Sequence, residues 1–293
     1  MTSSWNDLPC YLNGHLSRLG EAQVSVMDRG FLFGDGVYEL IPVYGRRLFR
    51  VSDHLNRLAR SLKALRIEDP YEREAWLDLL RSLVQHLPDA EDQWIYLQVT
   101  RGVAPRNHVM PRDLEPTVLA YTSPQQALTT EQRHQGLACT TARDFRWQRG
   151  DIKSISLLGN VLARQMSADQ GADETLLIRD GFLTEASSSN VWIVRDGALL
   201  APAPGELLLE GVRIELMREL CEELDIAYNL CPIAETELAT ADEILLTSAT
   251  KEVVAVTRLD HEPVGHGSLR GKPGPVYARL YEGYQRAKLL QSI

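Results

Sequence analysis

The chain is predicted to be a mixed α/β (α+β) protein in two domains, and three observations carry that prediction. Period-two apolar alternation and helical apolar spacing follow one another in each half of the sequence. Between the halves lies SPQQALTTEQ (123–132), which is polar, contains a proline and shows neither period. At 293 residues and 44% hydrophobic, the chain is long enough to fill two cores. The expected division is residues 1–122 as a smaller N-terminal domain, 123–132 as linker, and 133–293 as a larger C-terminal domain.

The elements follow in order. GVYELIPVY (36–44) alternates as a strand, Gly45-Arg46-Arg47 turns it, and Leu48 to Val51 returns as the second arm of a hairpin. Ser52 or Asp53 then caps a helix carrying Leu55, Leu58, Ala59, Leu62 and Leu65 at helical spacing. A second helix runs from about residue 71 to 87 with Trp76, Leu79, Leu80 and Leu83 on one face. Strands at 94–100 and 117–122 complete the first half. In the second half, Ser154 to Gly171 reads as a helix, and Asp180-Gly181 and Asp196-Gly197 each turn a hairpin. Helices near 208–224 and 272–291 alternate with short strands near 228–232, 243–247 and 253–258.

Composition narrows the function classes. A formal net charge of −9 excludes a general nucleic-acid binder and leaves anionic ligands to local cationic patches. Four cysteines without a C-x-x-C pair predict reduced thiols rather than a zinc site or disulfide framework, and the seven histidines have no metal-ligand spacing. No apolar run approaches the length of about 18 residues that a membrane helix needs. The start MTSSWNDLPC lacks the basic end and apolar stretch of a signal peptide, so no membrane partner is expected and the cytoplasm is the default.

The basic residues include five lysines: Lys63, Lys153, Lys251, Lys272 and Lys288. Lys153, in DIKSISLLG, directly precedes an apolar stretch, whereas the other four lie beside charged or turn residues. A desolvated lysine amine is what carbonyl chemistry and proton abstraction require. From position alone, a lysine near a helix start that snorkels to water is the commoner outcome. The run Thr184-Glu185-Ala186-Ser187-Ser188-Ser189-Asn190 is open to two readings as well. It is either a plain polar turn, or a carboxylate followed by hydroxyls that holds a cationic heterocycle and its oxygens.

Seven segments in order carry a family resemblance: DRGFLFGDGVYE (28–39), HLNRL (54–58), QVTRGVAPRNH (98–108), DIKSISLLGNVLA (151–163), LTEASSSNV (183–191), LLEGVR (208–213) and LLTSATKEV (245–253). Together they resemble the fold-type IV pyridoxal-phosphate enzymes, and among these the D-amino acid (D-alanine) aminotransferases. The resemblance covers nearly the whole chain and implies the two-domain architecture of that family, with pyridoxal 5'-phosphate as cofactor.

It also implies roles. Lys153 matches the lysine that condenses with the cofactor aldehyde and then moves the substrate proton. Glu185 matches the acid paired with the pyridine nitrogen. Arg57 matches the phosphate-binding arginine, although the apolar stripe of its helix excludes it and by itself reads it as solvated. Further phosphate contacts are expected from Gly211 and Val212 at a helix start and from Ser248 and its neighbours, and Ser188 and Ser189 are expected among the cofactor-binding residues. His54 matches a structural position that braces the first helix.

Two positions depart from the family pattern. Arg213 stands where a threonine is usual, and Ala249 where another hydroxyl is usual. Arg213 either compensates through charge or points to solvent while backbone amides suffice. Pro105-Arg106-Asn107-His108 matches a loop in which Arg106 and His108, with Tyr38, trap the substrate α-carboxylate, the loop reaching into the neighbouring subunit's site. Without the resemblance, Arg106 and His108 are ordinary loop polars.

The implied function is transamination between a D-amino acid and a 2-oxo acid, D-alanine plus 2-oxoglutarate giving pyruvate plus D-glutamate, ping-pong through pyridoxamine phosphate in a homodimer. Branched-chain L-amino acid aminotransferase and aminodeoxychorismate lyase are alternatives of the same fold. A catalytically silent pyridoxal-phosphate-binding protein is the alternative from another class.

Overall fold

In the computed structural model, which describes residues 5–293, the alternating segments form two sheets, each in its own unit. The first unit holds the described residues to Gln126 together with Ile152–Leu157 and Lys288–Ile293. The second holds Ala127–Asp151 and Leu158–Ala287.

The first unit runs β1 (Pro9–Leu12), β2 (His15–Arg18), α1 (Arg29–Phe33), β3 (Gly36–Tyr44), β4 (Arg47–Leu48), α2 (Val51–Leu65), α3 (Arg73–Gln85), β5 (Gln93–Thr100) and β6 (Thr117–Pro124). Its sheet has the order β2-β1-β6-β5-β3-β4, antiparallel throughout. Along β3, Val37, Glu39 and Ile41 are buried on the side facing α2, while Tyr38 and Leu40 are half-buried. Leu55, Leu58 and Leu62 of α2 and Trp76, Leu79, Leu80 and Leu83 of α3 fill the core over the sheet.

Two local expectations change here. Helix α2 is not capped by Ser52 or Asp53: Arg50 sits before it at φ 50°, in the left-handed region, and its Nε donates to Asp53 Oδ2 at 2.6 Å. Its buried face also differs from the apolar stripe, because His54, Arg57 and Ser61 are buried and Ala59 is exposed. Apolar spacing could not find them, since their burial depends on polar partners.

The second unit runs α4 (Thr130–Gln135), β7 (Leu137–Arg143), α5 (Leu158–Asp169), β8 (Glu174–Arg179), β9 (Phe182–Ala186), β10 (Asn190–Arg195), β11 (Ala198–Ala201), α6 (Val212–Glu223), β12 (Tyr228–Leu230), α7 (Glu235–Leu238), β13 (Glu243–Ser248), β14 (Glu252–Leu259), β15 (Glu262–Pro263) and α8 (Pro275–Leu290). Helix α8 ends among the residues grouped with the first unit. The strand order is β12-β11-β10-β13-β14-β7-β8-β9, with β15 on β14. Asp180 and Asp196, at φ 53° and 51°, precede Gly181 and Gly197, at φ 79° and 75°. Left-handed residues of this kind suit two-residue hairpin turns.

The segment expected as a linker is partly regular. Strand β6 extends to Pro124, and Thr129 opens α4 with a capping box to Gln132. The helix expected from Ser154 begins only at Leu158. Lys153, expected in the C-terminal domain, groups with the first unit, because residues 152–157 pair along β3. Tyr38 N–H donates to Lys153 O at 3.0 Å, Ile155 N–H donates to Gly36 O at 3.0 Å, and Ser154 bridges Val37.

Candidate functional site

On the first unit, β3 sends neighbouring side chains to opposite faces. Tyr38 stacks on Tyr96 (5.7 Å between centroids), and its ring lies 4.2 Å from Lys153 Nζ, a cation–π distance. Lys153 is also held by its backbone, accepting from Tyr38 and donating to Ser61 Oγ at 3.3 Å. On the α2 face, Glu39 is fully buried. Arg57 Nε and Nη2 donate to its two oxygens at 2.8 Å each, and His54 Nδ1 lies 2.7 Å from Oε2. Burial opposes ionisation of Glu39, but Arg57 and His54 outweigh it and hold the carboxyl far below its ordinary value.

Residues 101–108 are tied to α1 and the start of β3. Arg101 and Arg29 both donate to Asp35, and Arg29 Nη1 donates to Asn107 O at 2.6 Å. Burial raises the Asp35 carboxyl and the two arginines more than offset it, so its pKa is lowered. The Phe33 ring lies 4.7 Å from the Arg29 guanidinium, 5.5 Å from that of Arg106 and 5.5 Å from the His108 ring. Arg106 and His108 are themselves exposed.

On the second unit, Glu185 is the penultimate residue of β9. Its carboxylate accepts from Leu209 N–H at 3.1 Å and from Arg146 Nη1. Arg146 is held in turn by Asp144, at 3.0 Å from both Nε and Nη2, and Asp144 also accepts from Thr184 Oγ1 at 2.9 Å. The serine run that follows is directed at a second carboxylate. Ser187, Ser188 (2.7 Å) and Ser189 (3.4 Å) donate to the fully buried Glu174, which also takes Lys251 Nζ at 2.8 Å.

Helix α6 begins beside this turn. Its N-cap Gly211 packs so closely on Asn190 that a Cβ there would overlap Asn190 Oδ1, and Asn190 Nδ2 donates to Leu209 O at 3.2 Å. The first-turn amides of a twelve-residue helix are suited to an anion. Ser248 ends β13, whose Thr247 pairs with Asn190, and Ser248 Oγ accepts from Lys251 N–H at 3.1 Å. Arg213 does not point to solvent. It is 3% exposed, with its guanidinium 5.8 Å from the Tyr284 ring.

The family described as amino-transferase class IV matches residues 36–259. The D-alanine aminotransferase of Bacillus licheniformis is 38% identical over 96% of this chain and 97% of its own. That of Staphylococcus haemolyticus is 35% identical over 94% and 96%. The chain belongs to the class IV aminotransferases. Among solved structures, this aminotransferase resembles the branched-chain amino acid aminotransferase of Thermoproteus uzoniensis with norvaline, at TM-score 0.84 and 25% identity over 97% and 95% of the two chains. It shares its fold with that of Escherichia coli as well, at TM-score 0.84 and 22% identity over 94% and 92%.

The site residues read from the sequence of this class IV aminotransferase fall into two groups. Tyr38, Arg57, Arg106, His108 and Lys153 lie on the first unit, while Glu185, Ser188, Ser189, Gly211, Val212, Arg213, Ser248 and Ala249 lie on the second. Sequence reasoning missed Glu39, Arg146, Glu174 and Lys251, each of which holds an expected site residue by a charged hydrogen bond. Glu39 lay inside a quoted motif, on the same strand face as the buried Val37, and that was the available signal. Arg146 and Glu174 offered none, because their partners are distant in sequence.

Proposed function

We propose that this class IV aminotransferase is a pyridoxal-phosphate-dependent D-amino acid transaminase, converting D-alanine and 2-oxoglutarate to pyruvate and D-glutamate. Near-full-length similarity to curated D-alanine aminotransferases carries this reading. The structural neighbours named for branched-chain substrates share a fold with this chain at 22% and 25% identity.

The residues present fit the cofactor chemically. Gly211, packed without a Cβ against Asn190, opens α6, whose first-turn amides suit an anion, Arg57 supplies a guanidinium already oriented by Glu39, and Glu185 is a carboxylate held in place by Arg146. When bound, pyridoxal phosphate supplies an aldehyde that condenses with amines and a pyridinium ring that accepts electron density from the substrate Cα. Lys153 Nζ would take the proton from the substrate Cα and deliver it to the cofactor's aldehyde carbon within the first half of the cycle, and move a proton in the opposite direction in the second. Tyr38 faces that amine with its ring and holds the Lys153 backbone through its own N–H. Glu185 keeps a proton on the ring nitrogen. Arg57, the amides of Gly211 to Arg213, the Ser188–Ser189 turn and Ser248 with the Ala249 backbone bind phosphate.

Arg106, His108 and Tyr38 bind the substrate carboxylate, which leaves one enantiomer's Cα–H within reach of Lys153. Arg106 and His108 act in the site of a second copy in a homodimer. Supporting this, both are exposed on their own chain, and large apolar side chains are exposed nearby in sequence, Val103 (48%) and Val109 (71%). Four free cysteines suit the reducing cytoplasm proposed as its location.

The test is parallel assay of purified holoenzyme with D-alanine and L-leucine as donors, followed by borohydride reduction and peptide mapping. Turnover of D-alanine and a cofactor label on Lys153 are expected. Activity on L-leucine alone would sink the assignment.

A further inference from the structure

Lys251 has no part in the roles above, and the sequence places it only beside charged or turn residues. In the structure it is only partly exposed, and its ammonium group meets three oxygens: Glu174 Oε2 at 2.8 Å, Ser188 Oγ at 3.2 Å and Ser189 Oγ at 3.3 Å. An ammonium has three donors, so this arrangement saturates it. The serine hydroxyls accept from Lys251 and donate to Glu174, which closes the network. Lys251 N–H donates to Ser248 Oγ, so the same residue touches both turns. Ser187 O also takes Asn160 Nδ2 at 2.9 Å, and Ser187 N–H donates to Thr175 O at 2.9 Å, fixing the base of the run.

We propose that Lys251 is a positioning residue: by pairing with buried Glu174 it locks the Ser187–Ser189 turn to the Ser248–Lys251 turn. The polar groups those turns present to the cofactor phosphate are thereby fixed. The inference rests on the cofactor reading above and adds a residue to it. Its chemical logic follows from the hydroxyl lost at Ala249. With fewer side-chain donors in the second turn, grip on an anion depends more on where the backbone amides are held. Glu174 must stay ionised for the brace to hold. Burial opposes that, and Lys251 with the serine hydroxyls outweighs it.

The test compares wild type, Lys251→Met and Lys251→Arg as full-length holoenzymes, reading the rate of cofactor loss on gel filtration, its absorption spectrum and the thermal midpoint. Lys251→Met is expected to lose cofactor about tenfold faster, the scale of one charged hydrogen bond. Lys251→Arg, which keeps the charge, returns the rate to within about threefold of wild type. Should Lys251→Met not fold, Glu174→Gln/Lys251→Met, which removes both charges together, replaces it with the same expected loss. A lowered midpoint with wild-type cofactor retention makes the pair merely structural and overturns the proposal, as does a Lys251→Arg variant no better than Lys251→Met. A wild-type chain that takes up no pyridoxal phosphate overturns the functional reading itself.

Discussion

Glu39 is completely buried, yet its carboxylate carries two hydrogen bonds from Arg57 and a third contact from His54. Removing one member of such a set leaves a buried charge uncompensated, which costs about 3 kcal/mol or more. Glu39→Gln is therefore expected to lower stability by about that amount and to loosen Arg57. Because the Glu39 carboxyl is held below its ordinary 4.5 in the folded chain, its contribution is fully present above that value and is lost progressively as the pH falls towards the folded-state value. Urea unfolding of both proteins from pH 7 to pH 3 checks this: the gap should be full near neutrality and narrow steadily below about pH 4.5. A gap as wide at pH 3 as at neutrality would count against the pair. At this scale the residues proposed to carry the chemistry were picked out by motif order, whereas their holders were not. Arg146 reaches Glu185 across 39 positions and Glu39 reaches Arg57 across 18, distances over which no period speaks.

Elements with a turn signal were legible. Asp-Gly pairs mark both hairpins of the second unit, and the Trp76, Leu79, Leu80, Leu83 spacing marks α3. Residues 154–157 read as helix in sequence because their apolar members suit either state, and the choice is made by pairing with β3, far back along the chain. The start of α6 shows how an element end becomes a binding feature. Gly211 is required there by contact with Asn190, and Asn190 in turn holds the strand of chain entering the helix at Leu209. Gly211→Ala is expected to push Asn190 aside, costing about 1–3 kcal/mol by overpacking. It should also weaken cofactor retention more than Ala substitutions later in α6. Chemical denaturation and cofactor release on the same samples measure both; loss of stability without loss of cofactor would separate this glycine from the phosphate site.

On the scale of the whole molecule, the mean charge of −9 says little about ligands, since the proposed site draws on Arg57, Arg106 and Lys153 placed individually. The distribution of apolar surface is more informative. Helix α5 buries Ala163 and Ser167 but exposes Leu158 (70%), Val161 (60%), Leu162 (50%) and Met166 (40%), the reverse of a helix packed only on its own sheet. On the first unit, Val26 (69%) and Phe31 (70%) are similarly exposed. A stable interface with a second copy needs roughly 1,200–2,000 Å² of buried surface, and exposed apolar faces of this kind are where it would be drawn from. Val161→Glu/Leu162→Glu places two charges in that face and is expected to convert a dimer to monomer in sedimentation velocity while leaving the fold intact by circular dichroism. Because Arg106 and His108 are assigned to the partner's site, the monomer should keep the borohydride-fixable label on Lys153 but lose most turnover of D-alanine. A wild-type chain that sediments as a monomer at working concentration, or a monomeric variant with full turnover, would show instead that each chain completes its own carboxylate site.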